Sequence, residues 1–382
     1  DNLYLKAGDV FRGTIIIKHS GKKDKPIQLT SYGNGSKPIV SGAVKVRGLM
    51  PYDYNILTTR MEQKVHAVYI DDRYANIAKH PNIGFSTIST GNKTSLTDPE
   101  LSGLDFDLTG AGVRIKSVDW QFETMEISKH ENSTIHFKEP LIYTSNKGYG
   151  YILDNKYEFM DIDGEWYYNE ASKSFYIYTD QKVVSNDRIE AGVFENGIVI
   201  TENTSNISIS NLEIVKYSNA SVFLNNGVKN VEINHCKIKN SIVYGVNVLQ
   251  GSDYITIRDC QIYDIPGRGV SFLEVSHSLI ENNELKRIGL VPGYGYNGVN
   301  NGVGVCVLKE EIIYFISEQS FERIKKINGI SKDDLAGIEK LKGLPYMHLT
   351  YFQDALMSEL RNNEILVNNI VKIVTDELYN LN

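Results

Sequence analysis

Hydrophobic residues recur at a fixed step of 24 residues through the middle of the chain. Short runs such as "ISISNLEI", "VEINHCKI" and "ITIRDCQI" alternate apolar with polar residues, and Asn, Gly, Ser and Asp separate them. Alternation with a period of two predicts strands with one buried face. Two columns keep the 24-residue step: Ile198, Val222, Val246 and Val270, and Ile200, Leu224, Val248 and Phe272.

A repeat of this length, with about three short strands in each unit, predicts a β-solenoid. We expect successive coils to stack, with Val222, Val246 and Val270 in one inward ladder. Cys236 and Cys260 occupy equivalent positions and are interpreted as stacked small hydrophobic residues. Leucine-rich repeats share the period but need more leucine. The usual chirality of parallel crossovers favours a right-handed parallel β-helix in an all-β chain.

The pattern divides the chain into four segments. Residues 1–42 read as the N-terminal cap and first coils, and residues 191–308 as the regular coils. Residues 43–190 lose the period but keep strand-like runs, which predicts an inserted, β-sandwich-like domain. Residues 309–382 show helical spacing, with Ser331 before Asp334 as a helix start. This helical segment is either a cap over the open core or a disrupted gene end.

Composition narrows the function classes. The formal net charge of -7 argues against a nucleic-acid partner. No apolar run approaches the roughly 20 residues of a membrane span. The three cysteines form no Cys-x-x-Cys pair and the coils show no carboxylate cluster, so we expect neither a metal nor a cofactor. A start without Met fits removal of an export signal, and we expect a monomer that is secreted, periplasmic or at the cell surface.

Three phrases carry a resemblance to a known class: "GDVFRG…KPIQLTSYGNGSKPIVSG" at 8–42, "VYIDDRYANIAKHPN" at 68–82 and "DGEWYYNEASKSFYIYT" at 163–179. In this order, together with the coils, they resemble secreted right-handed parallel β-helix proteins that act on polysaccharides and carry an inserted β domain. The class contains glycoside hydrolases and polysaccharide lyases, and Lys79 and His80 stand where it usually has Arg and an aromatic residue.

The resemblance implies an exported bacterial protein that acts on a polysaccharide or oligosaccharide, with a glycoside hydrolase as the first expectation. Later coils of such proteins commonly carry an Asp-Gly-Gly phrase, and none follows Leu308. A uronate lyase and a non-catalytic glycan-binding or adhesion protein are therefore the alternatives.

The candidate site lies on one flank of the solenoid. In "GVSF", Val270 and Phe272 should point inward, so Ser271 should be exposed, and the same logic exposes Asn247. A loop at 289–300 makes Val303 follow Val270 by 33 residues instead of 24, and we expect it to roof this face. The predicted binding residues are Tyr244, Asn247, Gln250 and Ser271 on the flank, and Tyr294, Tyr296 and Asn297 in the loop.

Hydrolysis of a glycosidic bond needs two carboxylates, and Asp264 and Glu274 flank the strand. In a lyase, the cation that neutralises the substrate carboxylate would be Arg268, Lys286 or Arg287. The simpler interpretation is that Asp264 caps a turn and Glu274 is a solvated acid. Trp120 and Trp166 fit core packing, with sugar stacking as the alternative. If the flank is not the site, the junction with the inserted domain is the next candidate.

Overall fold

The computed structural model describes residues 2–119, 121–180, 188–289, 291, 294, 298–299, 302–308, 318–327, 330–341, 356, 360 and 363–380. Trp120, Tyr296 and Asn297 lie outside these residues. The chain forms two compact units, Asp1–Leu308 and Lys309–Asn382. In the described part, no helix is both long and apolar enough to cross a membrane.

The first unit is built on three parallel sheets of six strands each, which confirms the predicted parallel β-helix. The first sheet holds Leu3–Lys6, Ile27–Tyr32, Ser205–Ser210, Lys229–Asn234, Asp253–Arg258 and Leu279–Glu281. The second holds Val10–Arg12, Ile39–Ser41, Glu213–Val215, Lys237–Lys239, Gln261–Ile265 and Glu284–Ile288. The third holds Ile15–Ile17, Asn196–Ile200, Ala220–Leu224, Tyr244–Val248, Arg268–Leu273 and Val305–Leu308.

The apolar column of the third sheet is the predicted inward ladder. Val222 pairs with Val246, and Val246 pairs with Val270 in the parallel register. All three side chains are fully buried in one hydrophobic core, together with Cys236 and Cys260. The 24-residue step therefore places the same side chain of each coil directly above its predecessor.

The turns between the sheets form columns of their own, in which residues adopt positive φ. Asn, Gly and Asp tolerate this left-handed conformation, which explains why they separate the strands in the sequence. In the last four regular coils φ lies between 42° and 72° at each column position. The columns are Asn203, Gly227, Gly251 and Glu274; Asn206, Asn230, Tyr254 and His277; Asn211, His235, Asp259 and Asn282; and Lys216, Asn240, Asp264 and Arg287.

The register of the final coil differs from the expected one. Val305, not Val303, lies opposite Val270, and Cys306 lies opposite Ser271. The loop is therefore two residues longer than the spacing of the hydrophobic residues indicated, because residues 302–304 precede the strand Val305–Leu308 instead of belonging to it. Val305 and Val307 are exposed at the last strand of this sheet.

The inserted segment is β-rich, as predicted. Its largest sheet is antiparallel and runs in the order Lys79–His80, Gly150–Asp154, Gly112–Val118, Gln121–Glu131, Thr134–Phe137, Ser95–Thr97 and Thr90–Gly91. Ser86–Thr87 and Gly298–Val299 pair at its sides. A four-stranded sheet contains Trp166–Asn169, Ser174–Tyr178, Ile56–Arg60 and Met50–Asp53. Another contains Arg73–Ala75, Ala67–Ile70, Ile189–Gly192 and Ala43–Lys45, and the 3₁₀ turns are Pro99–Gly103 and Tyr157–Phe159.

The second unit contains the helices Glu318–Ile324, Lys332–Leu341 and Glu364–Asn380, which confirms the helical C-terminal segment. Phe321, Ile338 and Ile370 belong to its own apolar core. Ser331 and Asp334 form reciprocal side-chain to backbone hydrogen bonds of 3.0 and 3.1 Å. This capping box fixes the start of the middle helix, as the sequence predicted.

Candidate functional site

Charged side chains bind the inserted domain to the solenoid. Lys216 of a solenoid turn is buried and lies 2.7 Å from Asp72 and 2.5 Å from Glu190 of the inserted domain. Lys239 pairs with Asp72 as well. Burial opposes ionisation of Asp72, but the two lysines outweigh it and hold the pKa of this carboxyl below its ordinary value. Because an unpaired buried charge is costly, this network fixes the position of the inserted domain.

Tyr69 adds a neutral contact to the same junction. Its hydroxyl donates to the carbonyl of Asn240, a solenoid turn residue, over 2.6 Å. The ring packs in a small apolar cluster with Ala43, Ala67 and Ile242. Together with the charged network, this contact makes the inserted domain a fixed wall beside the solenoid.

A cavity of about 630 Å³ opens in the inserted domain, and we call it the Arg114 cleft. Its volume lies within the range of small-molecule sites. The strands Gly112–Val118, Gly150–Asp154 and Trp166–Asn169 supply much of its wall. The side chains that matter most for the chemistry are Lys64, Arg114, Asp154, Trp166, Tyr167 and Tyr294.

Arg114 and Asp154 form a buried ion pair in this wall. The Arg114 Nε lies 2.7 Å from Asp154 Oδ2, and the two side chains are only 2% and 8% exposed. Burial raises the pKa of the Asp154 carboxyl above its ordinary value, against the opposing charge of Arg114. Gly112 is required opposite the carboxyl, since a Cβ there would lie 2.1 Å from Asp154 Oδ1.

Tyr294 contacts the same wall from the loop that follows the solenoid coil. Its hydroxyl donates to the carbonyl of His66 over 2.7 Å, and the Arg114 guanidinium lies 5.9 Å from its ring centroid. Its ring also contacts Tyr74 edge-on, with centroids 5.5 Å apart. Burial raises the pKa of Tyr294 to about 12, so the hydroxyl stays a hydrogen-bond donor at neutral pH.

A second cavity of about 310 Å³ adjoins Arg114 and Tyr294 and is also lined by Tyr74 and Lys79. Burial, and then the charge of Arg114, lower the pKa of the Lys79 ammonium. Arg114 and Tyr294 thus contribute to both spaces. Within the described ranges, no group of three or more His, Cys, Asp or Glu side chains is arranged to hold a metal ion.

The aromatic wall of the Arg114 cleft is held rigidly. Trp166 is buried, and its Nε1 donates to the carbonyl of Ala75 over 3.2 Å. Tyr168 donates to the carbonyl of Met61 over 3.0 Å. Trp166 is therefore a packing residue that also faces the cleft. Aromatic rings beside charged donors and acceptors suit a ligand with apolar faces and many hydroxyl groups.

The predicted binding residues on the flank of the solenoid are aligned as expected, but not all of them are as exposed as expected. Tyr244 pairs with Arg268 in the register, and Asn247 with Ser271. The expected exposure of Asn247 and Ser271 is wrong, because both are buried. One reason is that the Arg268 side chain is itself buried and its Nη1 lies 3.5 Å from Ser271 Oγ. Gln250 is exposed at the following turn.

Asp264 and Glu274 are not brought together. Asp264 belongs to the second sheet, whereas Glu274 follows the third-sheet strand Arg268–Leu273. That strand has six residues and spans roughly 17 Å at about 3.3 Å per residue. Two carboxylates that hydrolyse a glycosidic bond lie at most about 9.5 Å apart. The two acids therefore have the wrong separation for a catalytic pair.

The Asp264 carboxylate forms an ion pair with the next coil, and the Glu274 backbone belongs to a turn column. Asp264 receives two contacts from Arg287 of the next coil, 2.5 Å from Nε to Oδ1 and 2.8 Å from Nη2 to Oδ2. Glu274 occupies the left-handed turn column in which preceding coils have Gly227 and Gly251, and its carbonyl accepts from Gly251 N over 3.2 Å. The ion pair with Arg287 supports a structural role for Asp264.

The loop was expected to cover Glu274, but its described residues contact the inserted domain instead. Tyr294 packs on Tyr74, and Gly298–Val299 pairs with Gln121 and Phe122 of the inserted sheet. The reason is that the open edge of Gln121–Glu131 offers backbone hydrogen bonds to the loop. The remaining predicted loop residues, Tyr296 and Asn297, lie outside the described residues.

No family model and no curated protein matches the chain. Among solved structures, the chain is similar to one described as "Glycoside hydrolase", with 12% identity and a TM-score of 0.64, covering 81% of this chain and 68% of that one. It is also similar to "The complex structure of XylC with xylose", with 12% identity and a TM-score of 0.50. That match covers 80% of this chain and 51% of the other.

This likeness shows the fold. Both matches cover about four fifths of this chain. The chain spans about two thirds of the first protein and about half of the second.

Sequence reasoning missed Arg114, Asp154 and Gly112, although one signal was present. The run "GAGVRI" at 110–115 places a glycine at the beginning of a strand. Glycine in a strand marks a close approach of another group, which here is the Asp154 carboxyl.

Proposed function

We propose that the protein acts on glycans by binding a polysaccharide or oligosaccharide in the Arg114 cleft. The observation that carries the proposal is the lining of this cleft, where Tyr167 and Tyr294 lie beside Lys64 and the Arg114–Asp154 pair. Aromatic faces pack against sugar rings, and the charged and hydroxyl groups match sugar hydroxyls. The fold likeness to a glycoside hydrolase and to a xylose complex supports the same substrate class.

Glycoside hydrolysis is the second candidate function. It is favoured by Asp154, a cleft carboxyl whose pKa burial raises, since a general acid must hold its proton near neutral pH. Glu126 lines the same cleft and would serve as the second carboxylate. Arg114 opposes this role by stabilising the ionised form of Asp154, so binding remains the first proposal.

The test is a fluorescence titration with a Trp120→Phe variant, which leaves Trp166 as the remaining tryptophan of the two in the chain. Neutral and anionic oligosaccharides are added, and saturable change in Trp166 emission is expected for a glycan that enters the cleft. Reducing-end and unsaturated-uronate assays on the same samples separate binding from hydrolysis and from lyase chemistry. A flat titration across the panel would refute the proposal.

We further propose that the protein is exported to the periplasm, the cell surface or the medium, and that it functions as a monomer. Polymeric glycans are encountered there, and the solenoid buries its apolar ladders within one chain. Fractionation of native cells and sedimentation analysis test these two points. Recovery only from the cytoplasm, or a stable dimer, would contradict them.

A further inference from the structure

One face of the four-stranded sheet carries tyrosines instead of aliphatic residues. Along Trp166–Asn169 the side chains alternate, so that Trp166 and Tyr168 are buried while Tyr167 is only partly buried. Tyr167 pairs in register with Tyr176, which lies on the same face of the neighbouring strand. Tyr52 from the strand Met50–Asp53 completes a row with these two rings.

The rings of this row touch in sequence. Tyr167 and Tyr176 are stacked with centroids 5.9 Å apart and an interplanar angle of 21°. Tyr176 and Tyr52 meet edge-on with centroids 5.1 Å apart. Tyr157 lies beside the row, with its ring centroid 5.4 Å from that of Tyr176 and 6.4 Å from that of Tyr167. We call these four residues the tyrosine track.

The track is continuous with the Arg114 cleft at one end and open to solvent at the other. Tyr167 lines the cleft, and the Lys156 side chain next to Tyr157 does so as well. Tyr52 at the far end is 58% exposed. The step between successive rings is comparable with the length of one sugar residue in an extended chain.

Packing within the domain accounts for only part of this arrangement. Tyr157, Tyr167 and Tyr176 also contact the apolar core of the large inserted sheet, which explains their partial burial. Tyr52 has no such place in the core, and it exposes an aromatic ring on an edge strand. A row of rings that leads outward from a cleft is the arrangement that a linear polymer with apolar ring faces would cover.

Charged residues neighbour the track in the sequence. Asp53 follows Tyr52, Glu158 follows Tyr157, and Lys156 precedes Tyr157. Burial, and then the charge of Asp53, raise the pKa of Tyr157. A polyuronate would carry like charges past both acids, whereas a neutral chain would not.

We propose that the tyrosine track is an accessory binding surface that extends the Arg114 cleft and takes the continuation of a neutral glycan chain. The inference rests on the proposed glycan binding in the cleft. It adds the location of the outer subsites and the charge class of the ligand.

The test compares Tyr52→Ala with Tyr32→Ala, a matched control on the solenoid strand Ile27–Tyr32 with similar exposure, 53% against 58%. Neutral xylo- and cello-oligosaccharides and oligogalacturonates are titrated calorimetrically as short and long chains. Tyr52→Ala should weaken binding of long neutral chains by roughly 3- to 10-fold, as expected for one aromatic contact. Short chains, held in the cleft alone, should bind as in the wild type.

A Tyr52→Trp variant should bind long neutral chains at least as well as the wild type, because it keeps an aromatic face. If the Tyr52→Ala protein binds both long and short chains with wild-type affinity, the track is refuted and binding in the cleft is left intact. Tighter binding of oligogalacturonates than of neutral chains would overturn the charge assignment. If the wild type binds none of the glycans, the proposed function is refuted, and the track is refuted with it.

Discussion

Replacement of Arg114 by Met tests the buried ion pair from which the Arg114 cleft is built. The variant keeps an unbranched, apolar side chain that is shorter than arginine, and it removes the guanidinium whose Nε lies 2.7 Å from Asp154 Oδ2. The Asp154 carboxyl is then left 8% exposed without this partner. Breaking one side of a buried pair costs about 3–5 kcal/mol, mainly because the remaining charge stays desolvated.

The cost should depend on pH in a definite direction. Burial already raises the pKa of Asp154 above its ordinary value of 3.8, and Arg114, followed by the charge of Lys79, opposes this rise. In the variant the folded-state pKa rises further above the unfolded-state value. The protonated acid is neutral and tolerates burial, whereas the ionised acid destabilises the fold. The deficit should therefore be smallest in acid and should grow as the pH rises through the folded-state pKa.

The assay is denaturant unfolding followed by far-ultraviolet circular dichroism at pH 5 and pH 8. Arg188→Met is the control, since its partner Asp71 and the arginine itself are both largely exposed, and little change is expected. The double variant Arg114→Met/Asp154→Leu should recover most of the lost stability, because it leaves no buried charge. A deficit that is absent, or that is equal at both pH values, would refute the reasoning.

Four further variants test other parts of the account. Gly112→Ala should cost about 1–3 kcal/mol, measured by the same unfolding assay, because its Cβ would displace the Asp154 carboxyl. Val246→Asp should abolish folding, visible as loss of the β spectrum, since it buries an unpaired charge in the inward ladder. Glu274→Gly should change stability by no more than about 1 kcal/mol, because glycine relieves the left-handed turn. Arg287→Met, which removes the ion-pair partner of Asp264, should leave the glycan affinity measured by calorimetry unchanged, because this pair lies in a turn column and not in the cleft. A 10-fold loss of affinity would indicate that Asp264 is a site residue.

The solenoid could be predicted from the sequence because its physics is periodic. Val222, Val246 and Val270 must repeat at one step for the coils to stack, and the Asn and Gly residues of the turn columns must repeat with them. Local patterning also predicted the capping box at Ser331. These features depend on near neighbours in the chain or on a strict repeat, and both are visible in a single sequence.

The site could not be predicted in the same way, because it depends on contacts between distant segments. Arg114 and Asp154 meet only after two strands pair, and Tyr294 reaches them from a loop more than a hundred residues away. The side-chain alternation did not predict the burial of Ser271, since alternation does not tell what covers an outward side chain. The fallback location, the junction with the inserted domain, is where the structure places Tyr294.

The central claim is that glycan is bound at the Arg114 cleft rather than on the solenoid flank. The most direct measurement is calorimetric titration of Tyr294→Ala and Glu274→Gln with the best-binding oligosaccharide from the panel, after both variants are shown to be folded. The account predicts at least a 10-fold loss of affinity for Tyr294→Ala and wild-type affinity for Glu274→Gln. Wild-type affinity for Tyr294→Ala with loss of binding or turnover in Glu274→Gln would contradict it and return the site to the flank of Arg268 and Glu274.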